Sequence, residues 1–427
     1  MRVALVNPHW VFDGSIYFGC RDPHLPLELG YAKVMLEAEG HEARLFDGQL
    51  GEARGEALPE AVADWAPDMT VLTTAPTYLF WRCPPPELRV PRRFIRALAG
   101  RGGRVVAVGP HGSTTPAPVL HKTGADVVVR GECEEAVAEL ASARDPAAVA
   151  GTAWLEGGAV RVNGAPRASR FVDHAPLAWP EAWVTRHRHH HHRFDASPDG
   201  PGAEVEASRG CPYACTFCAK LDFRDKYRRR DLGLLLAEID GLIAQGVTYL
   251  YFIDEIFLPQ EALLEALAAR DVRFGVQTRI DIWKREQIAA LGRAGCVSIE
   301  AGVESLSVEG RAALMKRCKL DNDALADLLI EARRHVPFVQ ANLIESAGDD
   351  RDEIARWRER LQAHGVWAND PVPLYPYPAS PEYRALWGEP DDRAWERAHA
   401  HYLEAFDRWS DIQEQRPAEL EALESAP

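Results

Sequence analysis

Ser208-Arg-Gly-Cys-Pro-Tyr-Ala-Cys-Thr-Phe-Cys-Ala-Lys220 sets Cys211, Cys215 and Cys218 in a C-x3-C-x2-C spacing. Three thiolates on one tight loop suit three irons of a 4Fe-4S cluster, whose full complement is four protein ligands, so the fourth iron would stay open to chemistry. Gly210 and Pro212 shape the loop, as a chain wrapping a cluster requires, and the aromatic Phe217 precedes the last cysteine. A zinc site with a distant fourth ligand and a set of three structural cysteines are the other readings. Zinc sites usually pair one C-x2-C unit with a second, and the sequence has no second pair.

At 427 residues the chain exceeds the usual size of one core, so two domains plus an appendage are expected. It is 46% hydrophobic, as a globular chain is, and no apolar run reaches the roughly 18 residues that span a bilayer. Arg2-Val-Ala-Leu-Val6 opens directly as a strand, without the pattern of a signal peptide. Cys20, Cys83, Cys133, Cys296 and Cys318 form no disulfide framework, so a reducing, cytoplasmic setting is expected. A net charge of -15 argues against a nucleic-acid partner, which needs a basic surface. The local exception, Arg224-Asp-Lys-Tyr-Arg-Arg-Arg-Asp231, reads as a solvated charge run. Its other reading has Arg228 or Arg230 meeting an anionic ligand group.

Residues 1–145 alternate apolar strands with helical stretches: 3–6 then 27–39, 43–46 then 57–65, 69–73 then 92–99, 105–108 then 117–122, and 127–129 then 134–141. Five such units with continuous apolar strands predict a doubly wound parallel sheet, whose ligands sit at the carboxyl ends of the strands. Those ends carry Asn7-Pro8, Asp47-Gly48, Thr73-Thr74, Gly109-Pro-His-Gly112 and Arg130-Gly-Glu132. A linker over 146–203 holds a hairpin, 152–156 with 159–163 around Gly157-Gly158, and the four consecutive histidines His189 to His192. That run reads as a polar segment near the site mouth, as adventitious surface histidines, or as a metal site.

Residues 204–380 repeat strand and helix about six times, with strands at 205–208, 249–253, 274–278, 297–300, 338–344 and 372–375. Residues 381–427 form a helical extension in which Trp395, His399, Tyr402, Phe406 and Trp409 recur at helical spacing, either as core packing or as a lid.

The cysteine run resembles the radical S-adenosylmethionine (SAM) superfamily. The earlier runs resemble the cobalamin-binding domain of its B12-dependent members: Asn7-Pro8, Pro26-Leu-Glu-Leu-Gly-Tyr31 with Gly40-His41, Asp47, Val108-Gly-Pro-His-Gly112 and Val129-Arg-Gly-Glu132. The D-x-H-x-x-G motif, by which other B12 proteins supply a histidine to cobalt, is absent. His111 is the nearest candidate ligand, and its alternative is a loop histidine bonded to backbone. The resemblance implies an α/β chain in which a doubly wound sheet precedes a partial (β/α)6 barrel and a short helical tail.

The same resemblance implies that Cys211, Cys215 and Cys218 hold the cluster and that the open iron binds SAM. SAM contacts are expected from Phe217, Asp254, Gln277, Arg279, Glu304 and Ser305, and corrin contacts from Thr74, Gly109, His111, Gly112, Ser113, Gly131 and Glu132. Asp254 could instead cap a helix, and Arg279 could sit in a structural salt bridge. The activity implied is methyl transfer to an unactivated carbon of a small molecule or natural product, through a 5'-deoxyadenosyl radical and methylcobalamin. A rearrangement, cyclisation or oxidation, with or without B12, is the alternative, and a non-catalytic iron-sulfur protein is the alternative of another class. The partners implied are a small-molecule substrate and an external electron donor such as flavodoxin or ferredoxin, with neither nucleic acid nor membrane.

Overall fold

The computed structural model describes residues 1–17, 21–76, 83–187, 200–406 and 416–425. Its first unit runs β1 (Arg2–Asn7), α1 (Leu27–Ala38), β2 (Glu42–Asp47), α2 (Ala57–Asp64), β3 (Met69–Thr73), α3 (Arg89–Leu98), β4 (Arg104–Val108), α4 (Pro110–Thr114), α5 (Pro116–Thr123), β5 (Val127–Val129) and α6 (Glu134–Ala143). β1, β3, β4 and β5 are buried on both faces, which explains their apolar runs, while the edge strand β2 exposes Glu42 and Arg44. Val3 and Leu5 meet α1 and α6 on one face, while Ala4 and Val6 meet α2, α3 and α5 on the other. The period-2 alternation of side chains assigns the two faces.

Strand order is β2-β1-β3-β4-β5, all parallel, so the order reverses between β1 and β3. The hairpin forms as β6 (Thr152–Glu156) and β7 (Ala159–Asn163), but it is no free linker. β6 pairs antiparallel with β5 and extends the sheet to seven strands, so the first domain reaches past residue 145. After α7 (Glu181–Arg186) the chain enters the second unit. His189 to His192 lie outside the described residues, as do Cys20 and Trp409.

The second unit is one sheet of six parallel strands in the order β15-β14-β13-β12-β11-β8. It is built from β8 (Gly202–Val205), the two-residue ladder β9 (Ser208–Arg209) with β10 (Arg228–Arg229), α8 (Leu232–Ala244), β11 (Tyr249–Phe252), α9 (Glu261–Ala268), β12 (Arg273–Thr278), α10 (Arg285–Arg293) and β13 (Cys296–Glu304). Then follow α11 (Val308–Ala313), α12 (Asn322–His335), β14 (Phe338–Leu343), α13 (Arg351–Gln362) and β15 (Trp367–Ala368).

One expectation changes here. The sixth strand is Trp367–Ala368, and Val372 contributes only an isolated bridge to Ile344. The helix covering the fourth unit is α12, capped by the Asp321 side chain, which accepts from the Ala324 amide, and burying Leu325 and Leu329.

The extension comprises α14 (Pro381–Trp387), α15 (Ala394–Phe406) and α16 (Leu420–Ser425). It packs as core. Trp395, His399, Tyr402 and Phe406 are buried, with Trp395, Tyr402 and Phe406 packing with Tyr375 and Tyr377 at the barrel exit. Trp395 also reaches the first domain, donating its indole N–H to Thr115 Oγ1 at 2.9 Å and lying 4.3 Å from the His111 ring. Because that side chain bridges both domains, Trp395→Ala should cost about 3 kcal/mol of stability in chemical denaturation of the full chain. A loss below about 0.5 kcal/mol, typical of a surface change, would mean that the tail is not docked there.

Candidate active site

The cysteine loop leaves β9 through Gly210, whose φ of +79° is in the left-handed region that glycine tolerates. A Cβ there would collide with the Lys226 carbonyl. The Gly210 amide donates to Glu255 Oε2 at 2.7 Å and Lys220 Nζ donates to the Cys211 carbonyl at 2.8 Å, fixing both ends of the loop. Its middle is held by Thr216, whose amide donates to Leu314 O at 3.1 Å and whose carbonyl accepts from the Glu382 amide at 2.9 Å.

Cys211, Cys215 and Cys218 are all half-buried and line one cavity of about 230 Å³ together with Tyr213, Phe217, Glu255, Ile256, Gln277, Thr278, Arg279, Glu300, Gly302, Glu304, Lys316 and Asn342. Burial pushes the Cys215 thiol up to about 11, against the opposing pull of Lys316. Three soft sulfur donors on one loop, facing open space rather than a packed core, are a donor set that fits iron. The space opposite them is kept open by Gly302, where a Cβ would run into the Glu304 carboxylate and the Lys316 ammonium.

Glu304 is the strained element of this wall. Its φ is +71°, and the pairing of β13 with β14 shifts register between Gly302 and Glu304. Such a bulge re-aims a side chain, and a non-glycine residue held in that conformation marks a site where the surroundings enforce it. Glu304 meets Lys316 Nζ at 2.9 Å. Arg279 also reaches the cavity, holding Asp281 with two hydrogen bonds of 3.0 and 2.7 Å while lying 4.2 Å from the centre of the Tyr213 ring. The salt-bridge reading of Arg279 is thus realised, and the same side chain lines the cavity. Gln277 donates to Glu300 Oε2 at 3.3 Å across neighbouring strands.

Asp254 and Ser305 are placed elsewhere. Asp254 is fully buried, accepting from the Ala207 amide at 2.8 Å and the Ser208 hydroxyl at 2.5 Å, so it braces the strand that leads into the cysteine loop. Burial pushes its pKa well above the usual carboxylate range. It caps no helix either, since α9 begins at Glu261. Ser305 is buried too and donates to Asp349 Oδ1 at 2.8 Å. Lys316, Glu300 and Tyr213 are among the wall residues that motif reading missed. Lys316 stands between Met315 and Arg317, both at positive φ, a backbone irregularity that no spacing announces.

At the strand exits of the first domain, His111 is fully buried with Nε2 2.9 Å from Pro85 O and Nδ1 3.3 Å from Thr74 Oγ1. Burial lowers its pKa to about 3. Both ring nitrogens are therefore engaged, which matches the loop histidine of its two readings rather than the candidate cobalt ligand. Gly109, at φ +132°, lies against Thr74 Oγ1, and Gly112 lies against Val128, where a Cβ would clash in each case. The Ser113 hydroxyl donates to Gly109 O at 2.7 Å and accepts from the Gly131 amide at 2.9 Å. Thr73 Oγ1, at the end of β3, is buried with no hydrogen-bond partner among the described residues. An orphaned hydroxyl on small-residue strand ends fits a polar ligand at the point where strand order reverses.

Glu132 faces the other way. It grips Arg228 with two hydrogen bonds of 2.6 and 2.7 Å and accepts from the Ser169 amide, so it joins domains rather than facing a corrin. Gly131, expected beside it, packs against the Arg167 backbone.

That ion pair belongs to a buried network. Arg224 meets Glu206 at 2.7 Å, Glu28 of α1 at 3.1 Å and Glu255 at 3.3 Å. Arg209 meets Glu134 of α6 at 2.5 Å and Glu206 at 2.7 Å, and Arg230 meets Glu238 at 2.8 Å. In the run from Arg224 to Asp231, Asp225, Lys226, Arg229 and Asp231 are exposed, as a solvated charge run would be, whereas Arg224, Arg228 and Arg230 turn inward to protein carboxylates in place of the expected ligand group.

Residues 205–357 match the Radical SAM superfamily and residues 21–141 match the B12 binding domain. The chain belongs to the radical SAM enzymes that carry a B12-binding domain. Among curated relatives, an uncharacterized methyltransferase of Pyrococcus horikoshii is 24% identical over 72% of this chain and 66% of its own length. The anaerobic magnesium-protoporphyrin IX monomethyl ester cyclase of Cereibacter sphaeroides is 26% identical over 71% and 50%. The hopanoid C-3 methylase of Methylococcus capsulatus is 26% identical over 87% and 71%. The chain thus spans half to two thirds of the first two. The fold is that of the radical SAM methyltransferase TsrM from Kitasatospora setae, solved with cobalamin and a [4Fe-4S] cluster, at a TM-score of 0.68 and 20% identity over 89% of this chain and 76% of that one.

Truncating one partner of a buried ion pair strands the other charge and costs about 3–5 kcal/mol. Arg224→Met should therefore lower stability by about that much in chemical denaturation and reduce the iron retained per chain after anaerobic reconstitution, because Glu255 would lose the cation that holds it on Gly210. Unchanged stability and iron content would remove Arg224 from the support of the loop.

Proposed function

We propose that the chain is a cobalamin-dependent radical SAM methyltransferase acting on an unactivated carbon of a small molecule. The observation that carries this reading is the gathering of three thiols, the Glu304–Lys316 pair and Arg279 around one cavity, with a B12-binding sheet packed behind the same loop. When bound, the cluster supplies the electron that cleaves SAM reductively and the corrin supplies the methyl group.

The residues of the chain bind, orient and exclude water. Cys211, Cys215 and Cys218 would hold the iron. Glu304 suits the amino group or ribose hydroxyls of SAM, and Lys316 or Arg279 suits its carboxylate, through charge-assisted hydrogen bonds. Phe217 offers a ring face and backbone to the adenine. Thr74, Gly109, Gly112 and Ser113 would form the corrin-side surface of the first domain, and Thr73 offers its hydroxyl there. Gln277, Glu300 and Asn342, on adjacent strand exits, favour a substrate with hydroxyl, amine or amide groups near the reacting carbon.

Reduction would come from an external one-electron donor such as flavodoxin or ferredoxin, in a reducing compartment such as the cytoplasm. Among the described residues no helix is long and apolar enough to cross a membrane.

The test uses the full chain, reconstituted anaerobically with iron, sulfide and hydroxocobalamin, then given reductant and SAM with a deuterated methyl group. The expected products are 5'-deoxyadenosine and S-adenosylhomocysteine, with the label found on the corrin. Deoxyadenosine alone would overturn methyl transfer in favour of a cyclisation, rearrangement or oxidation, and neither product would indicate a non-catalytic iron-sulfur protein. Cys215→Ala should abolish deoxyadenosine formation while cobalamin binding, read by visible absorbance, persists.

A further inference from the structure

His24, His187 and Glu204 come from three separate parts of the chain and meet in the interior. His24 lies in the loop before α1, His187 ends α7, and Glu204 points from β8, the strand that leads to the cysteine loop. Their side chains are 4%, 0% and 0% exposed as residues, so solvent does not explain their association. His24 Nδ1 lies 2.8 Å and His187 Nε2 2.9 Å from the same carboxylate oxygen, Oε1 of Glu204. The other oxygen, Oε2, accepts from the Leu25 amide at 3.2 Å, which fixes the plane of the carboxylate. All the candidate donor atoms fall within 4.8 Å of one another.

Two imidazoles and one carboxylate are the donor set of borderline divalent ions, which take His nitrogen and carboxylate oxygen at about 2.0–2.2 Å. Tetrahedral bonds of that length hold donor atoms about 3.4 Å apart, so the trio needs only small side-chain rotations to accept an ion. The hydrogen bond from Leu25 to the carboxylate is the kind of outer contact that orients metal ligands.

We propose that His24, His187 and Glu204 form a structural site for a divalent transition-metal ion of the zinc class, joining the first domain, the linker and the first barrel strand. The ion would draw three segments far apart in sequence to one point, which makes it a folding contribution rather than a part of the radical chemistry. This site is separate from the cysteine cavity, none of whose lining residues it shares.

The experiment measures zinc binding to the full chain with its cluster assembled, and to the full chain carrying Cys211→Ala, Cys215→Ala and Cys218→Ala, so that the cysteine loop cannot hold the ion. Each protein is stripped with chelator, reloaded with zinc and read by elemental analysis, by competition with a chromophoric chelator and by zinc X-ray absorption. The expected result is one tightly held zinc per chain in both, with a nitrogen and oxygen shell near 2.0–2.1 Å and no sulfur. Thermal unfolding should shift upward with zinc. Glu204→Gln and His24→Gln should each weaken binding by about 100-fold and abolish that shift. Replacing His189, His190, His191 and His192 with alanine should leave the zinc in place. Loss of the ion in that last variant would assign it to the histidine run, and absence of tight zinc in both parent proteins would make the trio a hydrogen-bonded cluster with no ion; either result overturns the proposal.

Discussion

The contact on which the rest of this protein depends is the buried guanidinium of Arg224. It touches Glu28 of the first domain, Glu206 between β8 and the loop, and Glu255 at the exit of β11. Through Glu255 it reaches the Gly210 amide and hence the start of the cysteine loop. Burying an ion is unfavourable unless its partners and geometry compensate it. Here the compensation is supplied by both domains at once, so the loop is well held only when they are docked. The Arg209 pairs with Glu134 and Glu206, and the Arg228 pair with Glu132, repeat the same arrangement nearby.

This explains why glutamates in the cobalamin-like runs have a second meaning. Glu28 sits in Pro26-Leu-Glu-Leu-Gly-Tyr31 and Glu132 in Val129-Arg-Gly-Glu132, and both point to barrel arginines. The first sheet is thereby aimed with its strand exits near the loop that carries the three thiols. Trp395, bonded to Thr115 and packed on His111, ties the far side of the same junction. The polar cavity of Glu304, Lys316 and Arg279 is lined by the second unit alone, and under the proposed function the first unit would present its small residues and hydroxyls toward it.

Much of the fold was legible because each sheet is built around parallel strands that are largely buried. Val127-Val-Val129 or Phe274 to Thr278 can hardly be anything but covered strands, and the helices between them carry apolar faces. The cysteine spacing and the strand-exit residues Gln277, Arg279 and Glu304 were legible for the same reason, since such sheets present their exits to ligands. What stayed hidden depends on long-range partners. The sequence around Arg228 looks like solvated charge until Glu132, almost a hundred residues earlier, is brought to it. Lys316 leaves no periodic trace, because it owes its place to a bend between Met315 and Arg317. Asp254 resembled a ligand residue and proved to be a brace, its neighbour Glu255 taking the cavity-facing position.

The most direct measurement is the electron paramagnetic resonance spectrum of the full chain, loaded with cluster and cobalamin, reduced, and recorded before and after SAM is added. Three cysteine ligands and an open iron predict a reduced-cluster signal that changes when SAM binds. A signal indifferent to SAM, or no cluster signal from a protein with intact cysteines, would contradict the assignment of Cys211, Cys215 and Cys218 to a SAM-cleaving centre.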